Sequence, residues 1–171
     1  SRAWQVGGAA LGGGLVGATS ELLGVDAFTL LFGRAPSDMT GLPEGLALGC
    51  AIGCALLVRP RESDGRRSFM PIALAVPLGL VSGAMIAFAG GRLMAGSLEK
   101  LAEAFGDSRI GLGRIAAMFG EQAFGPLSLA FTTAFEAMLF VTMVVAAIRL
   151  LPDRRETRTP AGDAGRYAGS V

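Results

Sequence analysis

The sequence predicts an all-α integral membrane protein of about four transmembrane helices, paired as two hairpins of a repeat, with an amphipathic interfacial insert between the third and fourth spans. Three observations carry this. Of 171 residues, 51% are hydrophobic and only 17% charged, with a mean hydropathy of +0.53, whereas soluble domains carry about 25% charged residues. Four stretches approach the roughly 20 residues a helix needs to cross a hydrocarbon core about 30 Å thick. The 26 glycines lie mostly inside apolar runs, where they let membrane helices approach closely.

The first span covers about 4–23 and is uncharged from Ala3 to Ser20. The second covers about 40–58, is uncharged after Glu44 and is the shortest, so a tilted or re-entrant helix fits it as well as a full crossing. Pro43 suits a first helical turn. The third covers about 69–95, uncharged from Ser68 to Gly91. Pro71 sits near its start, and Pro77 is expected to kink it or delay its beginning. The fourth covers about 126–151, broken before its basic flank only by Glu136.

The insert, about 97–120, places Leu98, Leu101, Ala102 and Phe105 on one helical face beside Glu99, Lys100 and Glu103. That spacing reads as a helix lying at the membrane surface. A second short interfacial helix is expected over 110–119, with Arg109 and Arg114 toward water. The tail, 152–171, is polar and reads as flexible.

Basic residues orient membrane proteins. Arg2, the loop holding Arg59, Arg61, Arg66 and Arg67, and the flank holding Arg149, Arg154, Arg155 and Arg158 fall on one side of a four-span chain. The first connection is acidic, with Glu21, Asp26, Asp38 and Glu44 against Arg34. Both termini are therefore expected in the cytoplasm, and the membrane to be a bacterial inner (plasma) membrane. The chain starts at Ser1, which reads as a removed leading segment or a piece of a longer protein, and its first apolar run does not have the form of a signal peptide.

Two local matches point to duplication. Gly14-Leu15-Val16 matches Gly79-Leu80-Val81 at an offset of 65. An offset of 92 pairs Phe32-Gly33 with Phe124-Gly125, Thr40 with Thr132, Glu44 with Glu136, Ala55 with Ala147 and Pro60 with Pro152. The halves share one orientation, which makes a parallel repeat about an axis along the membrane normal.

Small residues recur every fourth position: Ala9, Gly13 and Gly17 on the first span; Gly41, Gly45, Gly49 and Gly53 on the second; Gly79, Gly83, Ala87, Gly91 and Ala95 on the third. Such rows bring backbones together either within one chain or between partner subunits or copies of it. The fourth span carries Phe131, Phe135, Met138, Phe140 and Met143 instead, which suits bulkier packing or lipid contact.

Glu136 is the leading candidate for a functional group. A carboxylate inside a membrane is costly and faces the bundle interior, a partner or water. The structural alternative is a hydrogen bond to Thr132, Thr133 or Arg92. Glu44 is its repeat counterpart, and equally suits the positive end of a helix dipole after Pro43. Cys50 and Cys54, four apart, share a helical face poorly suited to a disulfide and read as small core residues.

The chain has no histidine, which removes the commonest general base and transition-metal ligand and excludes a His-ligated haem or chlorophyll. No nucleophile–base pair, phosphate loop or metal cluster is visible, so no enzyme, cofactor or metal is expected. A net charge of +1 gives no sign of a nucleic-acid partner; the expected partner is the lipid bilayer. Two function classes follow: a non-catalytic membrane module that anchors a larger protein or assembles with partner subunits through its small-residue faces, and a small channel or transporter moving protons or cations past Glu136, with Glu44 and Arg92 beside the path. A lipid- or pigment-associated subunit is a third.

Overall fold

The structure is a computed structural model that describes residues 2–35, 41–58, 69–104 and 112–150. The expected tail and the basic loop between the second and third spans lie outside the described residues, as do Phe105, Arg109 and Asp38. Among the described residues six helices follow in order: α1 Arg2–Phe32, α2 Leu42–Leu56, α3 Met70–Phe88, α4 Met94–Ala104, α5 Gly113–Met118 and α6 Pro126–Leu150. Three of them, α1, α3 and α6, are long and apolar enough to cross a membrane. The 15 residues of α2 reach about 22 Å at 1.5 Å per residue.

The elements differ from the sequence reading at informative places. Helix α1 continues nine residues past 23, because Glu21 and Asp26 mark a change in polarity and do not stop a backbone helix. Helix α3 runs from Met70 through Pro77 without a late start. It ends at Phe88 and does not continue to 95: Gly90 adopts a φ of +83°, its N–H donates to the Ala87 carbonyl, and the Gly91 N–H donates to the Ile86 carbonyl at 2.8 Å. This is the left-handed glycine cap that satisfies the last carbonyls of a helix. Gly91 is therefore in a turn and Ala95 in α4, so the expected row on the third span closes at Ala87.

Packing is pairwise. Helix α1 lies antiparallel on α2 and on no other described helix. Gly13 meets Gly45 and Gly49, Gly17 meets Gly41 and Gly45, Gly49 meets Ala9, and Gly53 meets Val6. Helix α3 lies antiparallel on α6 in the same manner. A Cβ on Gly79 would stand 2.5 Å from the Met138 Cα, and one on Gly83 2.5 Å from the Thr133 carbonyl oxygen. Gly14 lies against Leu42 and Leu46, and Gly83 lies against Thr133, Ala134 and Ala137.

The core forms where α2, α3 and α6 meet: Leu48, Ala51 and Ala55 from α2, Ala75 and Ile86 from α3, and Ala137, Val141 and Val145 from α6, joined by Leu93. Helix α1 buries only Gly14 and Gly17; Leu11, Leu15, Leu22, Leu30 and Leu31 are exposed. On α6, Phe131, Phe135, Phe140 and Met143 are exposed, a fitting surface for lipid chains. Cys50 is exposed and Cys54 half-buried, both free, so Cys50 is not the core residue expected of it.

Candidate functional site

An α-helix leaves its first N–H groups without intrahelical partners, and an N-cap side chain or water normally serves them. The N-cap positions of α2, α4 and α6 are Gly41, Leu93 and Gly125, as shown by the carbonyl bonds Gly45 N–H to Gly41, Ser97 N–H to Leu93 and Leu129 N–H to Gly125. None of the three has a side-chain acceptor. A glutamate serves each one.

Glu136 serves α4. It stands ten residues into α6, half-buried. Its Oε2 accepts the Met94 N–H at 2.7 Å and its Oε1 the Ala95 N–H at 2.9 Å. Both oxygens of the leading candidate are thus bonded to main-chain amides. These are not the partners expected from sequence, since the Thr132 hydroxyl donates to the Ser128 carbonyl within α6. Arg92 sits two residues before Met94, in the α3–α4 connection, and its charge is felt by Glu99 and Glu103.

Glu44 serves α2. It is buried, 7% exposed, and its Oε2 accepts the Gly41 N–H at 3.0 Å. This is the half of a capping box that reaches back from the third helical position. Its other oxygen packs on Gly91, where an added Cβ would stand 2.6 Å from it. The Glu21 carboxyl abuts Gly41 from α1. The two acids therefore reach one short piece of chain: Glu44 packs against Gly91, and Glu136 accepts the N–H groups of Met94 and Ala95.

Glu121 serves α6, and the sequence reading missed it. Its carboxylate accepts N–H groups from Gly125, Leu127 and Ser128, and the Ser128 hydroxyl at 2.5 Å. Those bonds, the Ser128 hydroxyl first, hold its carboxyl below the ordinary glutamate range. The signal was present as a glutamate shortly before Gly125-Pro126, the glycine being the cap and the proline the first helical residue.

At the opposite end, the Arg149 guanidinium donates to the Leu56 and Val58 carbonyls at 3.1 and 3.2 Å. A cation there satisfies the last carbonyls of α2 and sits at the negative end of its dipole. It also shows that α2 and α6 run in the same direction and end at the same level.

No protein-family model matches the chain, and no curated protein or solved structure matches it.

On α4, Lys100 bonds to Glu103 at 2.7 Å, which lowers the Glu103 carboxyl. Burial first, and then the neighbouring Glu103 charge, raises that of Glu99. Among the described residues no three acids, cysteines or histidines are grouped to hold a metal ion. The chemistry the arrangement offers is acceptance of main-chain N–H groups by the carboxylates of Glu44, Glu121 and Glu136.

Proposed function

We propose that the chain is a non-catalytic integral membrane module, a bundle that anchors a larger protein or assembles with partner subunits. One observation carries this reading: both oxygens of Glu136, the one acid on α6, are bonded to the chain's own amides. A carboxylate so engaged works as a helix cap. The uncovered face of α1, where Gly8 and Gly12 have no neighbour within 4 Å, offers a contact surface for a partner helix.

In this reading α2 is a fourth, short crossing. Arg149 ties its end to that of α6, and local thinning of the bilayer or tilt accommodates its length. The sequence matches at offsets of 65 and 92, and the antiparallel pairing of α1 with α2 and of α3 with α6, support an origin by duplication of one hairpin. The basic residues at the Arg2 and Arg149 end support cytoplasmic termini in a bacterial inner membrane.

A second reading, proton or cation movement, is favoured by one specific feature. Residues 89–93 are non-helical and lie against Glu44 and beside the amides held by Glu136, and irregular backbone inside a membrane is tolerated where it is buried or lines a cavity. The test is Glu136→Gln in proteoliposomes and in native membranes. The module reading expects no proton or cation flux with either form and a loss of partner recovery with the variant. Flux in the native form that vanishes in the variant overturns it in favour of transport.

A further inference from the structure

We infer that the partner subunit of this bundle is a second copy of the chain, with the exposed stripe of α6 on one copy packed against the open face of α1 on the next. The inference rests on the assembly reading and the duplication given above, and it names the subunit that assembles.

The two hairpins are built alike and stand at one height. On α1, Gly13 lies against the Gly45 carbonyl and Gly17 against that of Gly41; on α3, Gly79 lies against the Ala137 carbonyl and Gly83 against that of Thr133. The same contact thus recurs 66 residues on along the first helix of the pair and 92 residues on along the second. One step separates this 66 from the 65 of the Gly-Leu-Val match, and the packed contacts, not the tripeptide, define equivalent positions here. Arg149 donates to the Leu56 and Val58 carbonyls, on either side of its own counterpart Leu57, so α2 and α6 reach the same level.

The hairpins meet through unlike faces. On α2, Leu48, Ala51 and Ala55 are buried in the core that includes Ala75 of α3, and Leu78 packs on it. The equivalents of the α2 residues on α6 are Phe140, Met143 and Ala147, all exposed. The equivalents of Ala75 and Leu78 on α1 are Ala9, half-buried, and Gly12, exposed with nothing within 4 Å. Pro71 and Ser82 of α3 are buried, while their equivalents Gln5 and Val16 are exposed. Each hairpin therefore carries one face of each kind. The junction inside the chain uses the α2 face of the first hairpin and the α3 face of the second. The two faces left over are the two halves of another such junction, and among the described helices α1 touches only α2.

A junction of unlike faces is heterologous and repeats by rotation until it closes. Copies in one membrane share an orientation, so the rotation axis is the membrane normal, and α6 of one copy meets α1 of the next as α2 meets α3 within the chain. The residue sizes complement each other. Inside the chain Leu48 and Ala51 face the helix bearing Leu78 and Ala75; between copies the larger Phe140 and Met143 face the helix bearing Gly12 and Ala9. In lipid, apolar exposure alone does not join helices, whereas close fit does, and Gly12 weakens its helix without a packing return unless another helix covers it. Helix α4 covers the outer part of the α6 stripe, through Gly96 on Leu129 and the Glu136 bonds. The contact between copies thus runs from Phe140 to Ala147, in the half of the bundle next to Arg149.

The test is disulfide crosslinking of the full chain, purified alone, in dilute vesicles of phosphatidylethanolamine and phosphatidylglycerol, with Cys50 and Cys54 changed to serine. The antiparallel order pairs Gln5 with Ala147, so Gln5→Cys/Ala147→Cys is expected to give a ladder of linked copies ending at the ring size. Either cysteine alone should give none, because the joined faces are unlike. Trp4→Cys/Ala147→Cys turns the first thiol about 100° around α1 and should link far less. Gly12→Leu fills a face that nothing occupies within the chain. It should raise the dissociation constant between copies about 5- to 150-fold, while energy transfer from Trp4 to a dye on Cys50, measured with that cysteine retained, shows α1 still on α2. A double variant without a ladder overturns the inference, as does a dimer linked through a single cysteine or an association that Gly12→Leu leaves intact. If no ladder forms while native membranes yield a different subunit, the second copy is refuted and the module reading stands. A ladder accompanied by flux that Glu136→Gln abolishes supports the contact between copies and refutes the module reading instead.

Discussion

Replacing Gly45 by alanine tests the glycine contact between α1 and α2 with a single methyl group. A Cβ at Gly45 would collide with the Gly13 carbonyl oxygen and stand 2.9 Å from its carbon and 3.2 Å from the Gly14 Cα. Carbon atoms prefer separations of about 3.5–4.0 Å, and a retreat of about 0.5–1 Å forfeits a quarter to a half of a contact's attraction. Every atom on both sides is backbone, so no side chain can rotate away. Helix α1 has no other helix among the described ones to hold it. Overpacking of this kind costs about 1–3 kcal/mol. The control is Gly12→Ala, one position from Gly13 on the same helix, where nothing lies within 4 Å. Both changes gain the same helix propensity of about 1 kcal/mol, so their difference isolates the contact. It should amount to about 1–3 kcal/mol, roughly 5- to 150-fold in the separation of α1 from α2. Trp4, the one tryptophan, lies two residues before Val6, which meets Gly53. Energy transfer from it to a dye on the exposed Cys50, in a Cys54→Ser background, reports that separation during titration with a denaturing detergent. A Gly45→Ala protein that resists separation as well as Gly12→Ala refutes the reasoning.

Two further outcomes follow from the helix ends. Arg149→Met strips the Leu56 and Val58 carbonyls of their donor and should lower bundle stability by about 1–3 kcal/mol, as charged hydrogen bonds do; the same detergent titration reads it, and Arg149→Lys should recover part. Glu121 has a carboxyl lowered below its ordinary value of 4.5, so folding favours its ionised form; its contribution is fully present above that value and is lost as pH falls through the lowered one. Native protein should therefore lose stability at the α6 start in that acid range, seen as faster amide exchange at Leu127 and Ser128, and Glu121→Gln should show neither the extra protection nor its acid loss.

The long apolar helices were legible because the cost of unpaired backbone in an apolar medium ties uncharged length to helix. Their ends were less so. Span and helix are different objects: Asp26 leaves the apolar stretch and stays in α1, since charge affects partition and hardly affects backbone hydrogen bonding. The end of α3 was hidden because glycine recurs inside that helix too, at Gly79 and Gly83, and only the positive φ of Gly90 separates a stop from a packing site. Glu136 was legible as an acid in an apolar run. Its partners were not, because they are main-chain amides 41 and 42 positions away, and every residue carries such a group. Glu121 was overlooked for a related reason: it stands outside the apolar run, and its role depends on the side-chain-free cap at Gly125.

Packing and capping also explain each other. At Gly41 a Cβ would meet the Glu21 carboxyl, which would have to swing aside, and the Gly41 carbonyl lies close against Gly17. A glycine at the N-cap forfeits the acceptor that serine or aspartate would bring, and Glu44 restores it from three residues inside the helix. At Gly125 a Cβ would stand 2.5 Å from a Glu121 oxygen, so the glycine admits the very carboxylate that replaces its missing side chain. Leu93 is buried in the core, where a polar cap would be unsatisfied, and α4 takes its acceptor from α6. Glu44, Glu121 and Glu136 are thus tied to three helix starts whose own cap residues are occupied with packing, and Arg149 answers them at the end of α2. An acid placed by that requirement occurs with or without transport. Its presence in the apolar run therefore does not argue for an ion path, and the decision rests on whether flux exists to be abolished.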